Sequence, residues 1–213
     1  MYWLTNNSIR SHRKGYPHGS IIGFCLLWAL MLLSTCAPPD SGGRALFAID
    51  SLLHAQALQL SKAQASLNKQ IVLGTKQEEV TLTPRDTTAW LKELEVFSVM
   101  NAINKPINRD RYQVSESGDL KSNLRVKSFS TSNDLPLTYV KLYYHGKPER
   151  IRKIEAEYKE LNGLYTTSKF LTLEFNDMNG TPAITSYSIL GGQKMLLDDT
   201  VSYDIKGRVT LVN

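Results

Sequence analysis

From Asp110 to the carboxyl end the chain changes period. RYQVSES, SNLRVKSFS, LTYVKLYYH, RIRKIEAEY, SKFLTLEF, AITSYSIL, QKMLLDD and RVTLVN each read as a strand. Apolar residues alternate with polar ones, as in Val140, Leu142 and Tyr144, or Leu171, Leu173 and Phe175. Between the strands sit turn signals: Ser117-Gly118-Asp119, His145-Gly146-Lys147-Pro148, Asn162-Gly163, Asn179-Gly180 and Gly191-Gly192. Strands joined by tight turns can only pair antiparallel, because a parallel pair needs a long crossover. This stretch therefore predicts an antiparallel meander with one apolar face in need of cover.

The cover comes from the preceding residues. Leu46, Ile49, Leu53, Ala57, Leu60, Ala63 and Leu67 recur in steps of three and four, which predicts a helix over 44–69. Its apolar stripe can pack on the protein's own sheet or on a coiled-coil partner. IVLGTKQEEVTLT, Ile71 to Thr83, reads as a hairpin. Asp86 or Thr87 then caps a second helix carrying Trp90, Leu94 and Phe97 on one face, ended by Asn104-Lys105-Pro106. The expected fold is α+β: a curved antiparallel meander of about seven to nine strands, covered by two amino-terminal helices in a half-barrel-like arrangement. One domain is expected over 44–213, with its helical part at 44–107 and its sheet at 110–213.

The first 43 residues have another character. Arg10, Arg13 and Lys14 precede IIGFCLLWALMLL, Ile21 to Leu33, which carries no charge. A basic region followed by a short apolar core has the form of an export signal. The run is short for a spanning helix, which needs roughly 20 apolar residues. An ordinary secretory signal and a single-pass anchor are the alternatives that the residues leave open. LSTC, Leu33 to Cys36, resembles the bacterial lipobox: Leu33 stands three places ahead of Cys36, with Ser34 and Thr35 in the small-residue positions. The resemblance implies a lipoprotein precursor. Residues 1–35 would be removed as a signal peptide. Cys36 would become the first residue and carry a diacylglycerol, usually with an added acyl chain. Residues 36–43 would form a flexible tether. Under the family's sorting pattern, Ala37 does not favour retention in the inner membrane, so the outer membrane is the implied address.

Cysteine usage agrees. Cys25 and Cys36 are the two cysteines of the chain, so a body processed in this way has neither disulfide nor free thiol. Processing also changes the charge. Without Arg10, Arg13 and Lys14, the 25 basic residues become 22 against 20 acids, a net of +2. The dense basic stretch KPERIRK, Lys147 to Lys153, is followed at once by EAEYKE and reads as a solvated strand face. A nucleic-acid partner is not expected.

No catalytic spacing emerges. His54 lies among Leu, Ala and Gln with no carboxylate at helical spacing, and His145 lies in a turn. G-x-S-x-G and the phosphate-binding glycine loop are both missing from the sequence. Asp198, Asp199 and Asp204, and the stretch Asn176 to Gly180, read as polar turns rather than calcium ligands. Neither a metal nor a cofactor is expected, and the chain is not expected to be an enzyme. The suggestive residues are aromatic: Tyr139, Tyr143, Tyr144, Tyr158, Tyr165 and Tyr187 all fall on expected strands. They can line an amphipathic pocket, or decorate the outside of the sheet. The element order resembles the half-open barrels of the periplasmic lipoprotein carrier and its outer-membrane receptor. That resemblance implies a lipid-like ligand or an envelope protein partner. The expected role is a non-catalytic binding or accessory domain, with a structural subunit of an envelope assembly as the alternative.

Overall fold

Nine strands form one open, curved antiparallel sheet in the computed structural model, which describes residues 45–132, 135–195 and 200–211. The strands are β1 (Ser66–Leu73), β2 (Lys76–Leu82), β3 (Gln113–Gly118), β4 (Arg125–Ser130), β5 (Leu137–Tyr144), β6 (Ile151–Leu161), β7 (Tyr165–Met178), β8 (Thr181–Met195) and β9 (Val201–Thr210). Their spatial order is β2-β1-β9-β8-β7-β6-β5-β4-β3. From β3 to β9 the chain is the expected meander. The hairpin β1–β2 then adds to the last strand, with Leu67 opposite Val209 and Leu73 opposite Tyr203. The expected signal peptide, Cys36 and the expected tether lie outside the described residues.

Helix α1 (Ile49–Lys62) and helix α2 (Thr87–Leu94) cover the inner face. α2 continues as a 3-10 stretch, Glu95–Asn104, and a helical turn, Pro106–Arg109, follows. Asp86 caps α2, its Oδ1 accepting from Ala89 N–H at 2.8 Å. Ile49, Leu53, Ala57 and Leu60 of α1 meet Trp90, Leu94, Phe97, Met100 and Ile103 in one core. The sheet contributes Phe129, Leu137, Val140, Ile154, Leu171, Leu173, Ile184 and Tyr187 to the same core. Trp90, Phe97 and Phe129 are wholly buried, and they fill the space between the layers.

Two boundaries differ from expectation. The first helix stops at Lys62, and residues 66–69 already belong to β1. Gln64 takes a left-handed φ of 49° and reverses the chain there, although nothing in its side chain announces it. Leu67, which fits the helical spacing, is buried as a strand residue opposite Val209. The second difference is Gly191-Gly192, which is not a turn. β8 runs straight through it to Met195, so AITSYSIL and QKM are one strand. The glycines make room instead: a Cβ at Gly191 would stand 2.6 Å from the Tyr203 ring and 2.6 Å from the Ser168 carbonyl oxygen.

Candidate functional site

Strand parity sorts the tyrosines. Tyr139 and Tyr143 share the outer face with Lys141, Lys153, Glu155 and Glu157 across β5 and β6. The Tyr143 hydroxyl donates to Glu155 Oε2 at 2.6 Å, and Lys153 Nζ sits 4.1 Å above its ring. Burial first, and the adjacent Glu155 carboxylate second, push the Tyr143 hydroxyl well above its usual range. Tyr139 stacks beneath Lys141 Nζ at 4.9 Å. Tyr144, the next residue after Tyr143, is buried beside a β-bulge. Tyr158 packs against the core and donates to Glu160 at 3.0 Å. Tyr165 stands at the start of β7 opposite Met195. Tyr187 is in the core, 5.7 Å from Phe97 in an edge-on contact. The six do not line a single pocket. His54 and His145 are both solvent-exposed. Among the described residues no group of three metal-ligating side chains occurs.

A different constellation occupies the inner face where α2 meets β1, β8 and β9. Glu93 of α2 receives two donors. Lys69 Nζ lies 2.7 Å from its Oε1, and the Tyr187 hydroxyl donates to the same oxygen. Burial, then the hydrogen bond and charge of Glu93, raise the Tyr187 pKa. The neutral phenol therefore persists as a donor throughout the ordinary pH range.

Beside this contact the helices leave part of the sheet uncovered. A wide-mouthed recess of about 440 Å³ opens there. Ile189, Tyr203, Ile205 and Val96 form its apolar lining, and Lys69, Lys92 and Lys169 stand around it with Glu93 and Glu95. Since Glu93 is already engaged, Lys92 and Lys169 supply cationic ends above an apolar floor. That combination suits an amphiphile with one anionic group, and the volume falls in the small-ligand range. None of these residues is marked by a sequence pattern. Lys69, Glu93 and Lys169 come from three separate elements.

Two further cavities suit a ligand less well. A groove of about 400 Å³ on the outer face is lined by Asn68, Glu79, Glu174 and Ser186, whose polar groups already pair with one another. A hollow of about 590 Å³ lies between Asp50, Asn101, Ile107, Leu135 and Tyr158. It marks the place where the first described residues meet the sheet.

No helix among the described residues is long and apolar enough to cross a membrane. In comparison with known proteins, no family pattern, no curated protein and no solved structure matches the chain.

Proposed function

We propose that the protein is a lipid-anchored component of the cell envelope, acylated at Cys36 and held at the outer membrane. Its sheet domain acts by binding rather than by catalysis. The ligand is an amphiphile whose apolar part lies on Ile189, Tyr203 and Ile205 while its anionic end meets Lys92 and Lys169. The observation that carries this reading is the uncovered apolar strip of Ile189, Tyr203 and Ile205, with Lys92 and Lys169 at its rim, on the inner face of the sheet. Because aromatic and aliphatic side chains fill the interior, the recess, rather than the space between the layers, is the ligand's place among the described residues.

The test uses anilinonaphthalene sulfonate, an aromatic anion, as probe. Titration against the folded protein should give saturable fluorescence, weakened several-fold by Lys169→Glu. Native mass spectrometry of the protein from its host would then identify a retained amphiphile. A bare protein with no saturable probe binding would refute the reading.

A second reading, a subunit of an envelope assembly, draws support from the sheet's free edges. Every residue of β2 and of β3 is exposed, so each edge can accept another strand. A stoichiometric protein retained in the same mass spectrum would favour it.

A further inference from the structure

The two ends of the sheet differ in chemistry. One end carries the turns after β3, β5 and β7. Asp119, Lys121, His145, Lys147, Glu149 and Asn179 stand there, and Leu120 is the one large apolar side chain exposed among those turns. The opposite end carries the β1–β2 and β6–β7 turns, the end of β8 and the start of β9. Leu73, Val201, Met195, Leu161 and Leu164 are all exposed there, between 47% and 81% of each side chain.

Four of these side chains lie on β1, β9, β8 and β6, and Leu164 lies in the β6–β7 turn. Their strands follow in the order β1-β9-β8-β7-β6, with the β6–β7 turn closing the row. Gly74 N–H donates to Ser202 O at 3.0 Å, joining the first turn to the start of β9. Met195 pairs with Tyr165, and Leu161, Leu164 and Met195 share one recess. At a strand spacing of about 4.8 Å the row is roughly 20 Å wide. Exposed apolar side chains gathered in this way among the described residues mark a place where a partner or a membrane sits. Lys76 and Lys194 are exposed residues at the same end. Lysines there can reach lipid headgroups while their stems stay apolar.

The chain's own path selects the occupant. The described residues begin at this same end. Leu46 N–H donates to Asn104 Oδ1 at 2.8 Å, and Asn104 Nδ2 donates to Phe47 O at 2.6 Å. Asn104 stands three residues before the exposed Ile107. The hollow joining Asp50, Asn101 and Ile107 to Leu135 and Leu137 places this segment beside the start of β5, at the apolar end. The segment from Cys36 to Ala45 spans at most about 30 Å when fully extended. A bilayer holding Cys36 is therefore within reach of the row, and tethering makes the contact effectively intramolecular.

We propose that the end of the sheet bearing Leu73, Leu161, Leu164, Met195 and Val201 beds into the headgroup–acyl boundary of the membrane that anchors the chain. The proposal rests on the anchoring reading for its choice of occupant. An interfacial seat needs only apolar tips a few ångströms deep, with charges kept in the headgroup layer. It also holds the sheet upright and leaves the lysine-rimmed recess open to the side.

The test places a nitrobenzoxadiazole dye at Leu164→Cys, with Leu120→Cys as the control at the opposite end. The full processed protein is studied with vesicles of phosphatidylethanolamine and phosphatidylglycerol, in excess lipid. The expected result is a blue-shifted emission at position 164, quenched by shallow lipid-bound nitroxides, and a water-like emission at 120. Intact-mass measurement of the same sample scores the anchor separately. An acyl group at Cys36 with a water-like signal at 164 overturns the docking and leaves the anchor standing. A blue shift at 164 on an unacylated chain leaves the docking standing without the anchor. Water-like signals on an unacylated chain overturn both. A blue shift already present before vesicles are added overturns the docking in favour of a protein contact.

Discussion

The Tyr187 ring occupies the space that a side chain on Gly207 would take. A Cβ at Gly207 would stand 2.8 Å from the Tyr187 hydroxyl oxygen and closer still to two ring carbons. Tyr187 and Gly207 are opposed in register between β8 and β9, so the missing side chain on one strand is the space taken by the aromatic ring on the other. That placement lets the phenol cross over β9 and reach Glu93 on α2. Gly207→Ala should therefore destabilise the fold by about 1–3 kcal/mol through overpacking. For a domain of this size each kcal/mol lowers Tm by roughly 2–4 °C. Thermal melts of Gly207→Ala, Tyr187→Ala and the double variant should show strong non-additivity. Additive losses would mean that the ring does not depend on the glycine.

The Asp86 cap predicts a smaller effect. Its carboxylate satisfies Ala89 N–H, one of the donors that the first turn of α2 leaves without a helical partner. Asp86→Ala should cost about 1 kcal/mol, and Asp86→Asn much less, because the amide oxygen can still accept. Urea denaturation of both variants checks this. Equal losses would show that the cap contributes through charge rather than through the hydrogen bond.

Alkaline pH should weaken the fold through its buried phenols. The Tyr112 hydroxyl donates to Leu137 O at 2.6 Å, and burial pushes its pKa up to about 12, against the opposing pull of Arg111. Tyr187 is raised as well, by burial and by Glu93. A raised folded-state pKa means that the neutral form is the one the fold favours. Its contribution is complete below the unfolded value of about 10 and is lost as the pH climbs from there through about 12. Urea midpoints should fall across that window while tyrosinate absorbance rises late. Tyr112→Phe should flatten part of the fall. A midpoint that stays constant to pH 12 would contradict the assignment.

Much of this architecture can be read directly from the chain, for identifiable reasons. Asn179-Gly180 is a turn because a tight hairpin needs left-handed positions, and the two residues take them at φ 52° and 84°. Asn162-Gly163 turns instead through the Asn162 side chain, whose Oδ1 accepts from Leu164 N–H at 2.8 Å and from Tyr165 N–H at 2.9 Å. Gly191-Gly192 carries the same local signal and means the opposite. Its purpose is close packing beneath Tyr203, the residue opposite it on β9. The facing of the tyrosines was hidden for a related reason. Parity along a strand is shifted by bulges, and β5 carries irregularities at Leu137/Tyr139 and at Tyr143/Tyr144. Simple alternation puts Tyr143 on the outer face, yet it is buried there, beneath Lys153 and against Glu155. The recess was illegible because its residues come from α2, β1, β7, β8 and β9 and meet only in the folded chain, Lys69 through the pairing of β1 with β9. Nothing in the β1 sequence specifies that partner.

Gln56 shows where a polar signal was present in the pattern. It lies three residues after Leu53 and four before Leu60, squarely within the apolar stripe of α1, and it is 4% exposed. Its side-chain amide donates to Pro182 O at 2.9 Å, and its carbonyl oxygen accepts from Ile184 N–H at 2.7 Å. The strand is irregular just beyond this point, where Glu174 faces Ser186 and Phe175 faces Ile184. Gln56 thus fastens the helix to the backbone of β8 where the ladder is disturbed. Replacing it with Leu keeps the bulk and removes both contacts. The two backbone groups then lose a partner in a buried setting, at a cost of about 1–3 kcal/mol each. Gln56→Leu should therefore destabilise the protein by about 2 kcal/mol or more, despite making α1 more apolar. Hydrogen exchange at Ile184 should accelerate in the same variant. A Leu variant as stable as the parent, with Ile184 still protected, would show that β8 keeps its bulge without the helix.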